Sequence, residues 1–139
     1  MNFIAIECST SICSMSSFHD NKLINVIDSE DGFNHSESLP IFYKSIAKDF
    51  KSKKRNIDYF AISIGPGSFT SLRISLSFVK GLAFAKKIPI LPVQSLISLN
   101  LGATNLKKHY IVIDSYKDKC FIQKFDNHRM LSSPSILKI

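Results

Sequence analysis

No run in this 139-residue sequence approaches the roughly 18 apolar residues that a membrane-spanning helix needs, so no membrane association is expected. The opening "MNFIAIECS" lacks the basic start and the small-residue cleavage site of a secretory leader, which points to a cytoplasmic protein. Cysteine is scarce and odd in number. Cys8, Cys13 and Cys120 make no CxxC pair, so neither a disulfide framework nor a zinc knuckle is supported, and buried free thiols are expected. His19, His35, His109 and His128 fall on separate loops or strand ends without an HxxxH or HExxH pair, so no metal site of the chain's own is expected. No internal repeat or low-complexity tract divides the sequence. At 45% hydrophobic it is long enough to bury one core and too short for two ordinary domains.

Acidic charge is sparse beyond the first third. Residues 1–43 hold six acidic groups and one lysine, whereas residues 44–139 hold seventeen basic and five acidic groups, for a net charge of +7. Two readings stand side by side: long-range attraction to RNA or an acidic partner, or a lysine-rich solvated surface. Lysine far outnumbers arginine and few aromatics are interleaved, which argues against a base-stacking groove.

What is present is a regular alternation of elements. "NFIAIEC", "ICSMSSF" and "KLINVID" read as three strands of a meander, followed by a polar loop over residues 29–34. In "HSESLPIFYKSIAKDFKSKKR", Leu39, Phe42, Tyr43, Ile46 and Phe50 recur at helical spacing, with Ser36 as the expected N-cap and Pro40 in the tolerant first turn. The six basic residues from Lys44 to Arg55 suit the C-terminal end of that helix. "IDYFAISIG" is a buried strand, "IPILPV" another, and "QSLISLNLG" a short helix closed by Gly102 as its C-cap residue. "YIVID", "KCFIQKF" and "RMLSSPSILKI" return to strand. The order βββ, α, β, α, β, α, ββ implies a mixed sheet with crossover helices.

The stretch "SIGPGSFTSLRISLSFVKGLAF" joins a strand to a helix free of acidic residues. It is not a P-loop, because Lys and Ser or Thr do not follow the second required glycine, and it is not a GxSxG elbow, because Phe69 follows Ser68. Gly65 and Gly67 with Ser68 could receive an anion at the helix start, or form a tight strand-to-helix turn capped by Ser68. A Ser68, His35, Asp58 triad can be written down, but its spacing is unspecific. Glu7 and Asp114, each ending a strand, are the best carboxylate pair for a hydrated metal or phosphate, and equally good turn-capping acids. The helix carries two apolar stripes. Leu72, Leu76, Val79 and Ala83 are expected to pack on the sheet; Ser71, Ser75, Phe78 and Leu82, with Gly81 beside them, form a second stripe open to close approach by the first helix or another protein.

These residues resemble the TsaB (YeaZ) family. Its members carry GPGSFTGLRIG, then AKGLA, an apolar strand with proline, and VSSL, beside "GPGSFTSLRIS", "VKGLA", "IPILPV" and "VQSL" here. "FIAIECSTSICSMSSF" is similar to the family's LALDTST...CSVAL opening, His35, Ser36 and Glu37 match its HSE, and "VIDSYKDKCFIQKF" resembles its IDARKGEVY hairpin. The likeness covers roughly residues 2–125. It implies an α/β, actin-like, ribonuclease-H-like (ASKHA) fold: one lobe over residues 1–104 and a rudimentary second lobe, a strand hairpin, over 105–139. It implies a role in making N6-threonylcarbamoyladenosine in tRNAs that read codons beginning with A. In that system the TsaB-like subunit is not the catalyst. It dimerises with a TsaD-like transferase, which holds the metal and the adenylate, and a TsaE-like ATPase joins them; ATP and metal therefore belong to the partners, and tRNA is met indirectly. The implied partner face gathers Ser71, Ser75, Phe78 and Leu82 with Leu39 and Tyr43, and homodimerisation is its alternative cover. Glu7 stands where the family has Asp, and Ser71 and Ser75 replace two glycines. The competing enzyme reading is a small ASKHA phosphotransferase or peptidase using Glu7, Asp114 and the Gly65–Ser68 loop. A third reading is an RNA-binding module using Lys44–Arg55.

Overall fold

Alternation of side chains and two long crossover segments decide the architecture. The computed structural model describes residues 1–29, 34–103 and 106–139; most of the expected polar loop and the expected lobe boundary at 104/105 lie outside them. Strands β1 (Asn2–Glu7), β2 (Cys13–His19) and β3 (Lys22–Ser29) form the antiparallel meander. Helix α1 (His35–Ser52) crosses to β4 (Tyr59–Ser63), and α2 (Phe69–Lys86) crosses to β5 (Ile90–Val93). β1, β4 and β5 are parallel, giving a mixed five-stranded sheet in the order β3-β2-β1-β4-β5.

Ile4 and Ile6 of β1 and Cys13 and Met15 of β2 point to one face, where Leu39, Phe42, Ile46 and Phe50 of α1 and Val79 and Ala83 of α2 close over them. β4 sits between two parallel neighbours and is buried from Phe60 through Ser63, the run expected of a strand covered on both faces. On the other face Phe3 stacks between Phe18 and Tyr59, with ring centroids 4.5 and 4.8 Å away.

After α3 (Ser95–Gly102) the chain builds a second sheet. β6 (Lys108–Asp114) and β7 (Lys119–Asp126) pair antiparallel, and two short strands, β8 (Arg129–Met130) and β9 (Ser135–Lys138), add to β7. Its small core is Leu96 of α3 with Ile113 and Phe125. His109 and Asn100 meet at 2.6 Å and tie α3 to β6.

Three local expectations are corrected. α1 starts before Ser36: its cap is Asn34, whose carbonyl accepts from Glu37 and Ser38, so Pro40 stands in the second turn and removes a helical bond there. Gly102 is the last residue of α3, and Ala103 is the cap residue at φ −87°. Most consequential, the sheet-facing line of α2 is Ser71, Ser75, Val79 and Ala83, all buried, with Leu72 and Leu76 only half-buried. The covered line of α2 is thus made of small and β-branched side chains, and the leucines lie beside it.

Candidate functional site

The loop between β4 and α2 is knitted to both of its flanks. Ser68 N–H donates to the Ser9 carbonyl at 2.7 Å, on the β1–β2 turn, and Ser95 N–H donates to the Gly65 carbonyl at 2.9 Å, at the start of α3. Gly65 has φ +104°, a conformation that favours glycine, and the peptide between it and Pro66 is cis. Gly67 lies against Ser9 so closely that a Cβ there would stand 2.3 Å from the Ser9 oxygen. Ser68 is the N-cap of α2: its Oγ accepts from Ser71 N–H at 3.4 Å and pairs with Ser71 Oγ at 2.9 Å. Of the two turn readings left open by the sequence, the capped turn is the one formed. Two amides that an anion would need are already used, Ser68 by Ser9 and Ser71 by the cap. Replacing the cap, Ser68→Ala, is expected to cost about 1 kcal/mol, read as a lowered urea midpoint with unchanged slope.

The carboxylates serve their own turns. Glu7 Oε1 accepts from Ser9 N–H at 2.6 Å, and Asp114 Oδ1 accepts from Ser115 N–H at 3.0 Å. Neither makes an ion pair among the described residues. The Ser68, His35, Asp58 triad does not assemble: Ser68 is bonded to Ser71, Asp58 accepts from the Asn2 amide at 2.6 Å, and His35 is buried with its Nε2 unpartnered among the described residues.

Of the residues expected on the partner face, Leu39 and Ser75 are 0% exposed and Ser71 is also buried, so these three pack inside this chain. Tyr43, Phe78 and Leu82 remain half-exposed together where α1 meets α2. Tyr43 meets the Phe78 ring edge-on at 6.1 Å and Phe60 at 6.3 Å. Gly81, one turn beyond Phe78, has open space around the position of a Cβ. The stripe expected from sequence therefore survives only at its outer members. At the far end of both helices, Lys51, Lys54, Arg55 and Lys86 rim a broad depression of about 850 Å³.

One cluster carried no sequence signal. Cys8, Cys13 and His35 are all buried, with one ligand atom of each within 4.8 Å of the others and the two sulfurs 3.4 Å apart. The cysteines are five residues apart across a hairpin, and the histidine opens a helix after a further strand, a separation that no metal-motif pattern covers. The hydrogen bond between the sulfurs, with burial, pushes the Cys8 thiol up, and the same bond lowers that of Cys13.

A family model described as "TsaD: tRNA N6-adenosine threonylcarbamoyltransferase" matches residues 23–129. Among curated relatives, the "tRNA threonylcarbamoyladenosine biosynthesis protein TsaB" of Buchnera aphidicola from Acyrthosiphon pisum is 31% identical over 93 residues, which cover 67% of this chain and 42% of that one. The Escherichia coli protein of the same name is 27% identical over 103 residues, covering 74% and 44%. The chain thus spans about half the length of the curated relatives it matches. Among solved structures, a Pseudomonas aeruginosa protein described as similar to peptidase YeaZ superposes with a TM-score of 0.83 at 23% identity, over 98% of this chain and 66% of that one. An Aquifex aeolicus Ppx/GppA family member shares the fold at a TM-score of 0.51. The fold is the actin-like, mixed-sheet arrangement expected from the sequence.

Proposed function

Because this chain belongs to the TsaB (YeaZ) family, within the group described as TsaD, we propose that it is a non-catalytic partner subunit in tRNA threonylcarbamoyladenosine biosynthesis. Its partner in this reading is a TsaD-like transferase, with a TsaE-like ATPase joining the pair. The observation that carries the reading is the use made of the glycine loop. The Ser68 amide is held by the Ser9 carbonyl and the Ser71 amide by the Ser68 cap, while the helix the loop opens presents Phe78, Leu82 and the open Gly81 near Tyr43. Small residues between apolar ones let a second helix approach closely, which suits a docking surface better than a reaction centre. Glu7 and Asp114, engaged in separate turns, give the phosphotransferase or peptidase reading no assembled acid pair.

Reconstitution of threonylcarbamoyl transfer to tRNA with and without this chain tests the proposal. Transfer is expected to depend on the chain, while the chain alone shows no turnover; turnover by the isolated chain, abolished in Glu7→Ala, would favour the enzyme reading. Gly81→Arg tests the face itself. The added side chain meets nothing within the monomer, so the melting temperature is expected to hold or rise slightly, while affinity for the transferase falls at least about tenfold, roughly 1.4 kcal/mol. Undiminished affinity would place the docking surface elsewhere.

The basic depression favours one further reading, direct contact with RNA phosphates through Lys51, Lys54, Arg55 and Lys86. Binding of this kind weakens steeply with salt, and RNA affinity insensitive to salt would remove it.

A further inference from the structure

Two thiols and an imidazole converge where the β1–β2 hairpin meets the first turn of α1. Cys8 is 0%, Cys13 2% and His35 3% exposed, and their ligand atoms lie within 4.8 Å of one another. The imidazole supplies the independent sign that something is missing from the pairing pattern. Among the described residues, His35 Nε2 is buried without a hydrogen-bond partner, an arrangement that costs free energy unless a ligand satisfies it. The sulfurs share a hydrogen bond, so a proton lies between two soft donors that also bind metals.

We propose that Cys8, Cys13 and His35 form a binding site for a thiophilic divalent cation of the zinc class, which fastens the β1–β2 hairpin to the start of α1. The donor set is the one such ions select: two sulfurs and one imidazole nitrogen. Thiolates each about 2.3 Å from a tetrahedral zinc ion stand about 3.8 Å apart, against 3.4 Å between the sulfurs here. The sulfurs need to part by only a few tenths of an ångström, and the imidazole, with its ligand atom within 4.8 Å of them, closes to about 3.5 Å from each on binding. Charge also favours a divalent ion. Both thiols lose their protons on binding, and two thiolates with a neutral imidazole then balance a 2+ charge, leaving none uncompensated in the core. A monovalent copper ion would leave one negative charge buried. The site is independent of the role proposed above, because none of its residues lies on the Tyr43, Phe78 and Leu82 face.

The test is titration of the full, reduced chain with Co²⁺ and competition by Zn²⁺. One equivalent of Co²⁺ is expected to produce near-ultraviolet sulfur-to-cobalt absorption, which Zn²⁺ removes, and Zn²⁺ alone is expected to raise the melting temperature. Cys8→Ser and Cys13→Ser should abolish the absorption and Cys120→Ser should leave it intact. His35→Gln should weaken Zn²⁺ binding by more than the roughly 10–100-fold that loss of a merely supporting group produces. No absorption from the unaltered chain, persistence of the absorption in Cys13→Ser, a response confined to Cu⁺, or a Cys8–Cys13 disulfide that forms without any metal affinity would each overturn the proposal. The first reading is made on the unaltered protein, so a variant that fails to fold does not shield it.

Discussion

Ser75→Arg is expected to yield no folded chain at room temperature, with or without a partner present. Ser75 is 0% exposed on the sheet-facing line of α2, and its hydroxyl is already satisfied by the Leu72 carbonyl at 3.1 Å. A guanidinium forced into that fully buried position is cut off from bulk solvent, and an unpaired buried charge costs several kcal/mol. Extra volume at a fully buried position costs about 1–3 kcal/mol more. Together these approach the 5–15 kcal/mol by which a domain is stable at all. Circular dichroism and soluble yield are the measurements. A variant that kept the wild-type melting temperature would mean that α2 does not sit on the sheet through this line. The comparison with Gly81→Arg separates two effects a binding assay would confuse: the same residue is introduced on one helix, once under it and once outside it.

Gly67→Ala is expected to destabilise by about 3 kcal/mol, which for a chain of this length lowers the melting temperature by about 10 °C. The added carbon would lie 2.3 Å from the Ser9 oxygen, 2.7 Å from its Cβ and 2.9 Å from its carbonyl carbon. Two of those atoms are backbone and cannot swing away, so the β1–β2 turn must move. Moving it lengthens the 2.7 Å bond from Ser68 N–H to Ser9 that seats the start of α2. The counterpart Gly81→Ala meets nothing and removes a flexible residue from a helix interior, so it is expected to stabilise by about 0.5–1 kcal/mol. Opposite signs for one chemical change at two glycines, measured by urea denaturation, are the expected result. Equal effects would show that the approach of Ser9 places no demand on Gly67.

These positions also mark where the sequence was legible. Strands and crossovers could be read because period-two alternation in β1 and β2 and the unbroken apolar run of β4 follow directly from which faces are covered. The Ser68 cap was legible because capping is local chemistry. Of the stripe expected on the sheet, Val79 and Ala83 are buried but Leu72 and Leu76 are only half-buried, and Ser71 and Ser75 take the covered line instead. Which line of a helix is covered is a tertiary property, and no single-residue scale contains it. Asn34 and Ser36 are equally good caps, so the start of α1 could not be fixed from residue type. The Cys8, Cys13 and His35 cluster depends on a hairpin and a helix meeting, and it has no counterpart in spacing.

α1 and α2 both leave strands of the same direction to reach the parallel partners β4 and β5, so they run side by side in one sense. Each is 18 residues long, about 27 Å at 1.5 Å per residue. Lys51, Lys53, Lys54, Arg55, Lys86 and Lys87 gather at or just beyond the helix ends, whereas the glycine loop and Glu37 lie at the beginnings. The helix pair therefore carries a concentration of cations at one end. Under the RNA-contact reading, a polyanion arriving through water is expected to meet this cationic end of the helices first.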